Sequence, residues 1–188
     1  DTDAYVSANK SISYTHCFAR PGFLQVGYND ESQIKRCGWN GRIELKVGER
    51  LKELGRTGQS TVVVKFSAAS LTNAFGVVSD AKIVIKSAEE VVGTVEGLLP
   101  DRFSPYEFYI SGADQNTVLT ITSQKCEGKM DEGQATSTYE SADYRFFIDD
   151  LTVNVPDEGS KGLTLNFDLS DPSKMSGWPD TITPSTDP

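Results

Sequence analysis

The chain has 188 residues, 37% of them hydrophobic and 24% charged, a composition too apolar for a disordered protein. Its net charge of −9 disfavours nucleic acid, because phosphate binding depends on Lys and Arg. No apolar run reaches the roughly 18 residues that a membrane-spanning helix needs, so a membrane-spanning protein is not expected. Sixteen Gly and 10% aromatic residues favour strands and turns over helices.

The apolar pattern predicts a succession of short strands separated by turn residues. Only one short segment, 48–55, has a helical pattern, of one or two turns. Lys82 and Lys86 flank one strand at positions typical of a sheet edge or of gatekeeper residues. This succession predicts an all-β fold, a jelly-roll β-sandwich of two antiparallel sheets with at most one or two short helical turns. The predicted strands are 23–28, 42–47, 61–69, 82–86, 91–95, 106–110, 117–122 and 145–155.

The character of the sequence changes after residue 156. We predict a sandwich domain over 1–156, followed over 157–188 by a linker, one more strand and a tail rich in Pro, Ser and Thr. This C-terminal segment is either the start of a second unit or a strap on the first domain, with Trp178 as its anchor. Residues 123–143 form a predicted loop that is longer than most.

The three cysteines, Cys17, Cys37 and Cys126, cannot all pair with one another. A structural zinc site is not expected, because the chain has no CxxC pattern and a single histidine. A disulfide between Cys17 and Cys37 and a set of free thiols are both compatible with the sequence.

An acidic pair interrupts the last long predicted strand. Asp149 shares strand parity with Phe147 and Leu151, so a regular strand with that face in the core would direct its carboxylate inwards. A buried carboxylate needs a partner, which could be backbone N–H groups, an arginine or a hard cation such as calcium. The alternative is a β-bulge at Asp149 and Asp150 that brings both side chains to solvent.

Four segments carry a resemblance to a known family: 21–27 (PGFLQVG), 62–69 (VVVKFSAA), 109–113 (YISGA) and 145–153 (RFFIDDLTV). Together they resemble the galactose-binding-like jelly rolls of secreted or surface-anchored Bacteroidetes proteins. The resemblance extends from about residue 18 to 155 and implies a carbohydrate-binding-module-like domain, extracellular or anchored at the outer-membrane surface and often part of a longer chain. It also implies a structural calcium at the acidic residue of the last strand, here Asp149.

A glycan ligand requires exposed aromatic rings, on which the apolar faces of sugars stack while neighbouring polar groups bind the hydroxyls. We expect Trp39, Tyr28, Tyr139 and Tyr106 to be such ligand-binding residues. Trp39 lies among Gly and Asn residues that suit a turn tip, although it could instead close one end of the sandwich.

The sequence offers no catalytic machinery: no nucleophile elbow, phosphate loop or zinc-protease motif occurs, and His16 is the only histidine. We therefore expect a non-catalytic module that binds a polysaccharide or other glycan. One alternative is an accessory or adhesion domain of a surface lipoprotein without a glycan ligand. A weaker alternative is a glycoside hydrolase, which would need two carboxylates placed across a glycosidic bond.

Overall fold

The computed structural model describes residues 12–27, 41–72, 76, 78–124, 145–156 and 163–166. Within these ranges the chain forms eleven strands and one helix, α1, at Val47–Glu53. The first six strands are β1 Ile12–Thr15, β2 Cys17–Arg20, β3 Phe23–Val26, β4 Arg42–Leu45, β5 Ser60–Ser70 and β6 Ile83–Ser87. The others are β7 Glu90–Val95, β8 Ser104–Ala113, β9 Leu119–Ser123, β10 Phe146–Val155 and β11 Leu163–Asn166.

The strands form two antiparallel sheets. The first sheet has the order β1-β4-β9-β6-β7 and the second has the order β2-β3-β10-β5-β8, with β11 also paired to β10. This arrangement confirms the predicted all-β jelly-roll sandwich with little helix. Of the two alternatives for Lys82 and Lys86, the sheet edge is excluded, because β6 is paired with β7 on one side and β9 on the other.

The core lies between the sheets and follows from the two-residue period of the strands. In β9, for example, Leu119 and Ile121 are fully buried, whereas Thr120 and Thr122 are only half-buried on the other face. Each strand therefore supplies one apolar row to the core and one polar row to the surface. The largest fully buried side chains are Tyr14, Phe66, Phe146, Ile12, Leu24, Ile43, Leu45, Leu51, Ile83, Ile85, Leu119 and Ile121.

Strands β1 and β2 are not predicted from the sequence, because each has only four residues and the chain changes sheet between them. His16, with φ of 50°, makes this change from the first sheet to the second. Its carbonyl oxygen accepts a hydrogen bond from the N–H of Gly27 at 2.9 Å. Gly41 packs against both residues, since a Cβ there would lie 2.2 Å from the Gly27 nitrogen. We call this junction of His16, Gly27 and Gly41 the backbone corner.

Cys17, which follows this corner, is a free and buried thiol. Its Sγ donates to the carbonyl oxygens of Thr15 at 3.3 Å and Arg42 at 3.5 Å. Burial raises the pKa of the Cys17 thiol to about 12, so it stays protonated and unreactive near neutral pH. Cys17 takes no part in a disulfide in this structure, and Cys37, its possible partner from the sequence, lies outside the described residues.

Strand β11 follows the predicted domain boundary at residue 156 and adds to the second sheet. Val155 pairs with Leu163 and Thr152 pairs with Asn166. The remaining residues of 157–188 lie outside the described residues, and the division into a domain and a C-terminal segment stays a prediction. The helix α1, the one helix in the described ranges, is too short to cross a membrane.

Candidate functional site

Three of the four predicted ligand-binding aromatics, Trp39, Tyr28 and Tyr139, lie outside the residues that the structure describes. Their role in ligand binding stays a prediction.

Tyr106, the fourth predicted aromatic, lies on β8. Tyr106 pairs with Phe66 in the β5–β8 register, and the two ring centroids are 5.8 Å apart. Because Phe66 is buried in the core, Tyr106 lies on the inner face of β8 and packs against that core. Its ring is half-buried, less exposed than the sequence led us to expect, and its role in ligand binding stays a prediction.

The core-facing register predicted for Asp149 is also wrong. The pairing of β10 with β5 shifts between Asp149 and Thr152, and Asp150 has φ of 51°, so the strand carries a bulge. Phe146 and Ile148 are buried before the bulge and Leu151 after it, which leaves Asp149 half-buried on the outer face. The Asp149 Oδ1 accepts a hydrogen bond from the Asp150 N–H at 2.8 Å. The alternative interpretation, a bulge that brings both carboxylates outwards, is confirmed.

This bulge removes the physical reason for expecting a cation at Asp149, because the carboxylate is not buried among apolar groups. Within the described ranges, no three His, Cys, Asp or Glu side chains come together as metal ligands. The calcium role of Asp149 stays a prediction.

Replacing Asp150 by glycine is expected to raise the free energy of unfolding by about 0.5 kcal/mol, because glycine adopts the left-handed conformation without the steric cost that an L-residue bears. Urea denaturation would measure the gain. Asp150→Ala is the control, since it removes the same carboxylate but keeps the cost of the positive φ. An equal gain in both variants would assign the effect to charge and not to the backbone.

The outer faces of the two sheets differ in chemistry. Within the described strands, the outer face of the first sheet carries hydroxyl and charged groups, such as Ser13 and Glu44, which are hydrogen-bonded at 3.0 Å, and no aromatic ring. The outer face of the second sheet carries several aromatic rings. Aromatic rings are the groups that bind apolar or planar ligand surfaces, so we place the candidate site on the second sheet.

Tyr109 on β8 is the most exposed large hydrophobic side chain among the described residues, with 69% of its surface accessible. Its hydroxyl donates to Glu107 Oε1 at 2.6 Å, and the same oxygen lies 3.2 Å from Lys65 Nζ. Glu107 is two residues from Tyr109 on the same face of β8, and Lys65 is opposite Glu107 on β5. We call these three residues the Tyr109 platform, an exposed ring whose edge is fixed by an acceptor and a donor.

The contacts within the Tyr109 platform change the pKa values of Glu107 and Tyr109. The hydrogen bond from Tyr109 is the main cause that lowers the pKa of the Glu107 carboxyl, and Lys65 lowers it further. The same bond raises the pKa of the Tyr109 hydroxyl. Glu107 therefore stays ionised, and its contact with Tyr109 persists, until the pH falls below the ordinary range of a glutamate.

The Tyr109 hydroxyl is expected to ionise at a higher pH than a free tyrosine, whose pKa is about 10. Glu107→Gln is expected to lower the midpoint pH of Tyr109 ionisation, because it removes the carboxylate whose negative charge disfavours a phenolate. Ultraviolet absorbance titration would measure it as the difference between the chain and its Tyr109→Phe variant. The same midpoint before and after Glu107→Gln would contradict the hydrogen bond.

A second aromatic group lies on the same face and includes Phe103, which directly precedes β8. The ring centroid of Phe23 is 4.7 Å from that of Phe147 and 5.6 Å from that of Phe103. Phe23 and Phe147 are half-buried, and Phe103 is 37% exposed. We call these three rings the phenylalanine cluster.

Neither group is predicted from the sequence, although one signal was present. Tyr109 has the same strand parity as Glu107, whereas Tyr106 has the parity of Phe108 and Ile110, so the polar residue marks the outer face. The phenylalanine cluster has no such local signal, because Phe23, Phe103 and Phe147 are distant in sequence and only the strand order brings them together.

No model of a known protein family matches the sequence. None of the curated proteins matches it either. Among solved structures, one described as "CBM4 structure and function" is 13% identical, with 80% of this chain and 83% of that chain covered and a TM-score of 0.43. TmCBM61 in complex with beta-1,4-galactotriose is 11% identical, with 79% and 84% covered and a TM-score of 0.38. At such low similarity, these structures say nothing about the ligand of this chain.

Proposed function

We propose that this chain is a non-catalytic carbohydrate-binding module and that the Tyr109 platform is part of its ligand site. The observation that carries the proposal is the Tyr109 ring itself, 69% exposed and held at its hydroxyl by Glu107. Isolated apolar residues are common on protein surfaces, but an exposed ring fixed by a hydrogen bond of 2.6 Å is a specific arrangement.

The chemistry of the platform matches that of a sugar. The face of an aromatic ring stacks on the apolar face of a pyranose, and the Glu107 carboxylate and Lys65 ammonium supply an acceptor and donors for hydroxyl groups. Because the hydrogen bond restrains the ring before the ligand arrives, less conformational entropy is lost on binding. A ligand-binding role for the predicted loop aromatics, Trp39, Tyr28 and Tyr139, is a separate part of the proposal.

A glycan array of plant and host polysaccharides, followed by affinity gels with each ligand found, tests the proposal. Tyr109→Ala is expected to weaken binding about tenfold, which corresponds to the roughly 1.4 kcal/mol of a well-placed aromatic contact. Tyr109→Phe keeps the ring and is expected to keep most of the affinity. Val91→Ala, an exposed apolar residue of the first sheet, is the control and should change nothing.

Two results would contradict the proposal. Uniform absence of retention on all polysaccharides would argue against a carbohydrate ligand of any kind. If Tyr109→Ala binds a polysaccharide as well as the unmodified chain does, the chain is still a carbohydrate-binding module, but its ligand site does not include Tyr109. Binding is also expected to weaken as the pH falls through the lowered pKa of Glu107, because the protonated carboxyl loses its charge-assisted contacts.

The resemblance to galactose-binding-like jelly rolls supports the further proposal that the chain acts outside the cytoplasm, secreted or anchored at the outer-membrane surface of a Bacteroidetes-type cell. It also supports attachment to further domains of a longer chain. A calcium ion at Asp149 is the least supported part, since the bulge directs that carboxylate outwards. Metal analysis of the purified chain and of Asp149→Ala tests it, and an unchanged melting temperature after chelation would contradict it.

An adhesion domain without a glycan ligand is the second candidate. The observation that favours it is β8, a ten-residue strand at the edge of the second sheet, which within the described ranges pairs only with β5. An edge of this length can pair with a strand of another protein. A negative glycan array combined with binding of an extended peptide along β8 would favour this candidate.

A further inference from the structure

The outer-face side chains of β8 form a row along the edge of the second sheet. Tyr109, Glu107 and Pro105 are spaced two residues apart, so their side chains lie on the same face of the strand. All three residues are exposed. The row therefore runs from the Tyr109 platform towards the start of β8.

Phe103, the residue directly before β8, lies at the other end of this row. It has the strand parity of Pro105, and its ring centroid lies 5.6 Å from that of Phe23. Because Phe23 in turn packs on Phe147 at 4.7 Å, these contacts hold the Phe103 ring on the outer face, where 37% of the residue is exposed. Each end of the row thus carries a ring that is restrained before a ligand arrives, one by a hydrogen bond and one by ring packing.

The spacing of the two rings determines the length of a ligand that can contact both. Phe103 and Tyr109 are six residues apart, which corresponds to about 20 Å of extended strand. A mono- or disaccharide is too short to contact both rings. A linear chain of several sugar units is long enough.

The surface between the rings suits the sugar units that would lie there. Pro105 contributes an apolar ring, and its partner Ser67 on β5 supplies a hydroxyl group beside it. Lys65 and Glu107 add a donor and an acceptor for sugar hydroxyls. Pro105 also lacks the backbone N–H that a further strand would need at this edge, which favours a glycan over an added peptide strand along this stretch.

We propose that the ligand is a linear polysaccharide that lies along the outer face of β8 and contacts both Tyr109 and Phe103. This inference rests on the carbohydrate-binding function proposed above and specifies the class of glycan, a chain bound over several units and not a single terminal sugar. Phe103 is then a second aromatic subsite, which adds affinity only for ligands long enough to reach it.

Isothermal titration calorimetry with oligosaccharides of two, four and six units from the cello-, xylo-, manno- and galacto- series tests the dependence on length. In the unmodified chain, the hexasaccharide of a series that binds is expected to bind about tenfold more tightly than its disaccharide, the gain from one further aromatic contact. Phe103→Ala is expected to remove most of this gain and to leave disaccharide binding unchanged. Tyr109→Ala is expected to weaken the binding of both.

Two control variants separate the loss of an aromatic contact from a general effect on the domain. Phe103→Tyr keeps a ring at this position and is expected to keep the tight binding of the hexasaccharide. Val118→Ala shortens a side chain of similar exposure, 39%, directly before β9 of the first sheet, and should change neither affinity. A cooperative melting transition in each variant shows that the domain is folded.

The inference is wrong if the hexasaccharide binds no more tightly than the disaccharide, or if Phe103→Ala leaves hexasaccharide binding unchanged or weakens both ligands alike. Retention on the glycan array without binding of any of these linear oligosaccharides would also overturn it. In each of these cases a carbohydrate is still bound, so the proposed function stands. Absence of binding both to the oligosaccharides and on the array would instead contradict the proposed function, and this inference with it.

Discussion

Replacing Gly41 by alanine is expected to lower the free energy of unfolding by about 3 kcal/mol or more, because the added carbon has no room. It would lie 2.2 Å from the Gly27 nitrogen, 2.6 Å from the His16 oxygen and 2.9 Å from the Val26 carbonyl carbon. All three are backbone atoms of the corner where the chain changes sheet, so no side chain can rotate away. Urea denaturation followed by circular dichroism would measure the loss.

Gly58 provides the matched control for this substitution. A Cβ at Gly58 has no neighbour within 4 Å, and the residue is exposed with an ordinary φ. Gly58→Ala should therefore change the free energy of unfolding by no more than about 0.5 kcal/mol. Similar values for the two variants would show that the backbone corner is not closely packed.

Phe146→Ala is expected to lower the free energy of unfolding by about 3–5 kcal/mol, the usual loss for a phenylalanine removed from a core. Phe146 is fully buried on the inner face of β10, between β3 and β5. Its removal would leave a cavity that neighbouring strands cannot close, since they are held on both sides by backbone pairing. Chemical denaturation monitored by tyrosine and tryptophan fluorescence would quantify the loss.

A comparison of Phe146→Ala with a substitution of the neighbouring Phe147 tests which face of β10 is buried. Phe147 is half-buried on the outer face, where it loses mainly its contact with Phe23. Phe147→Ala is therefore expected to cost about 1–2 kcal/mol, clearly less than Phe146→Ala. The reverse order would show that the β10 register is shifted by one residue and would restore Asp149 to the core face.

The fold class and most strand positions could be predicted because they depend on local patterns. Alternation such as that in Arg42–Leu45 specifies one buried and one exposed face, whatever strand it pairs with. The position of a strand within a sheet does not depend on a local sequence pattern. Lys82 and Lys86 suit either an edge strand or gatekeeper positions, and the sequence could not decide between them, because strand order depends on contacts between distant segments.

The acidic pair in β10 shows most clearly what the sequence determines and what only the tertiary structure determines. The sequence by itself determined that this segment is a strand and that Asp149 needs either a partner or an escape from the core. Only the tertiary structure decided between them, because a bulge arises from the pairing of β10 with β5 and has no sequence period of its own. The same holds for the outer face of the second sheet, where Phe23, Phe103 and Phe147 meet through strand order alone.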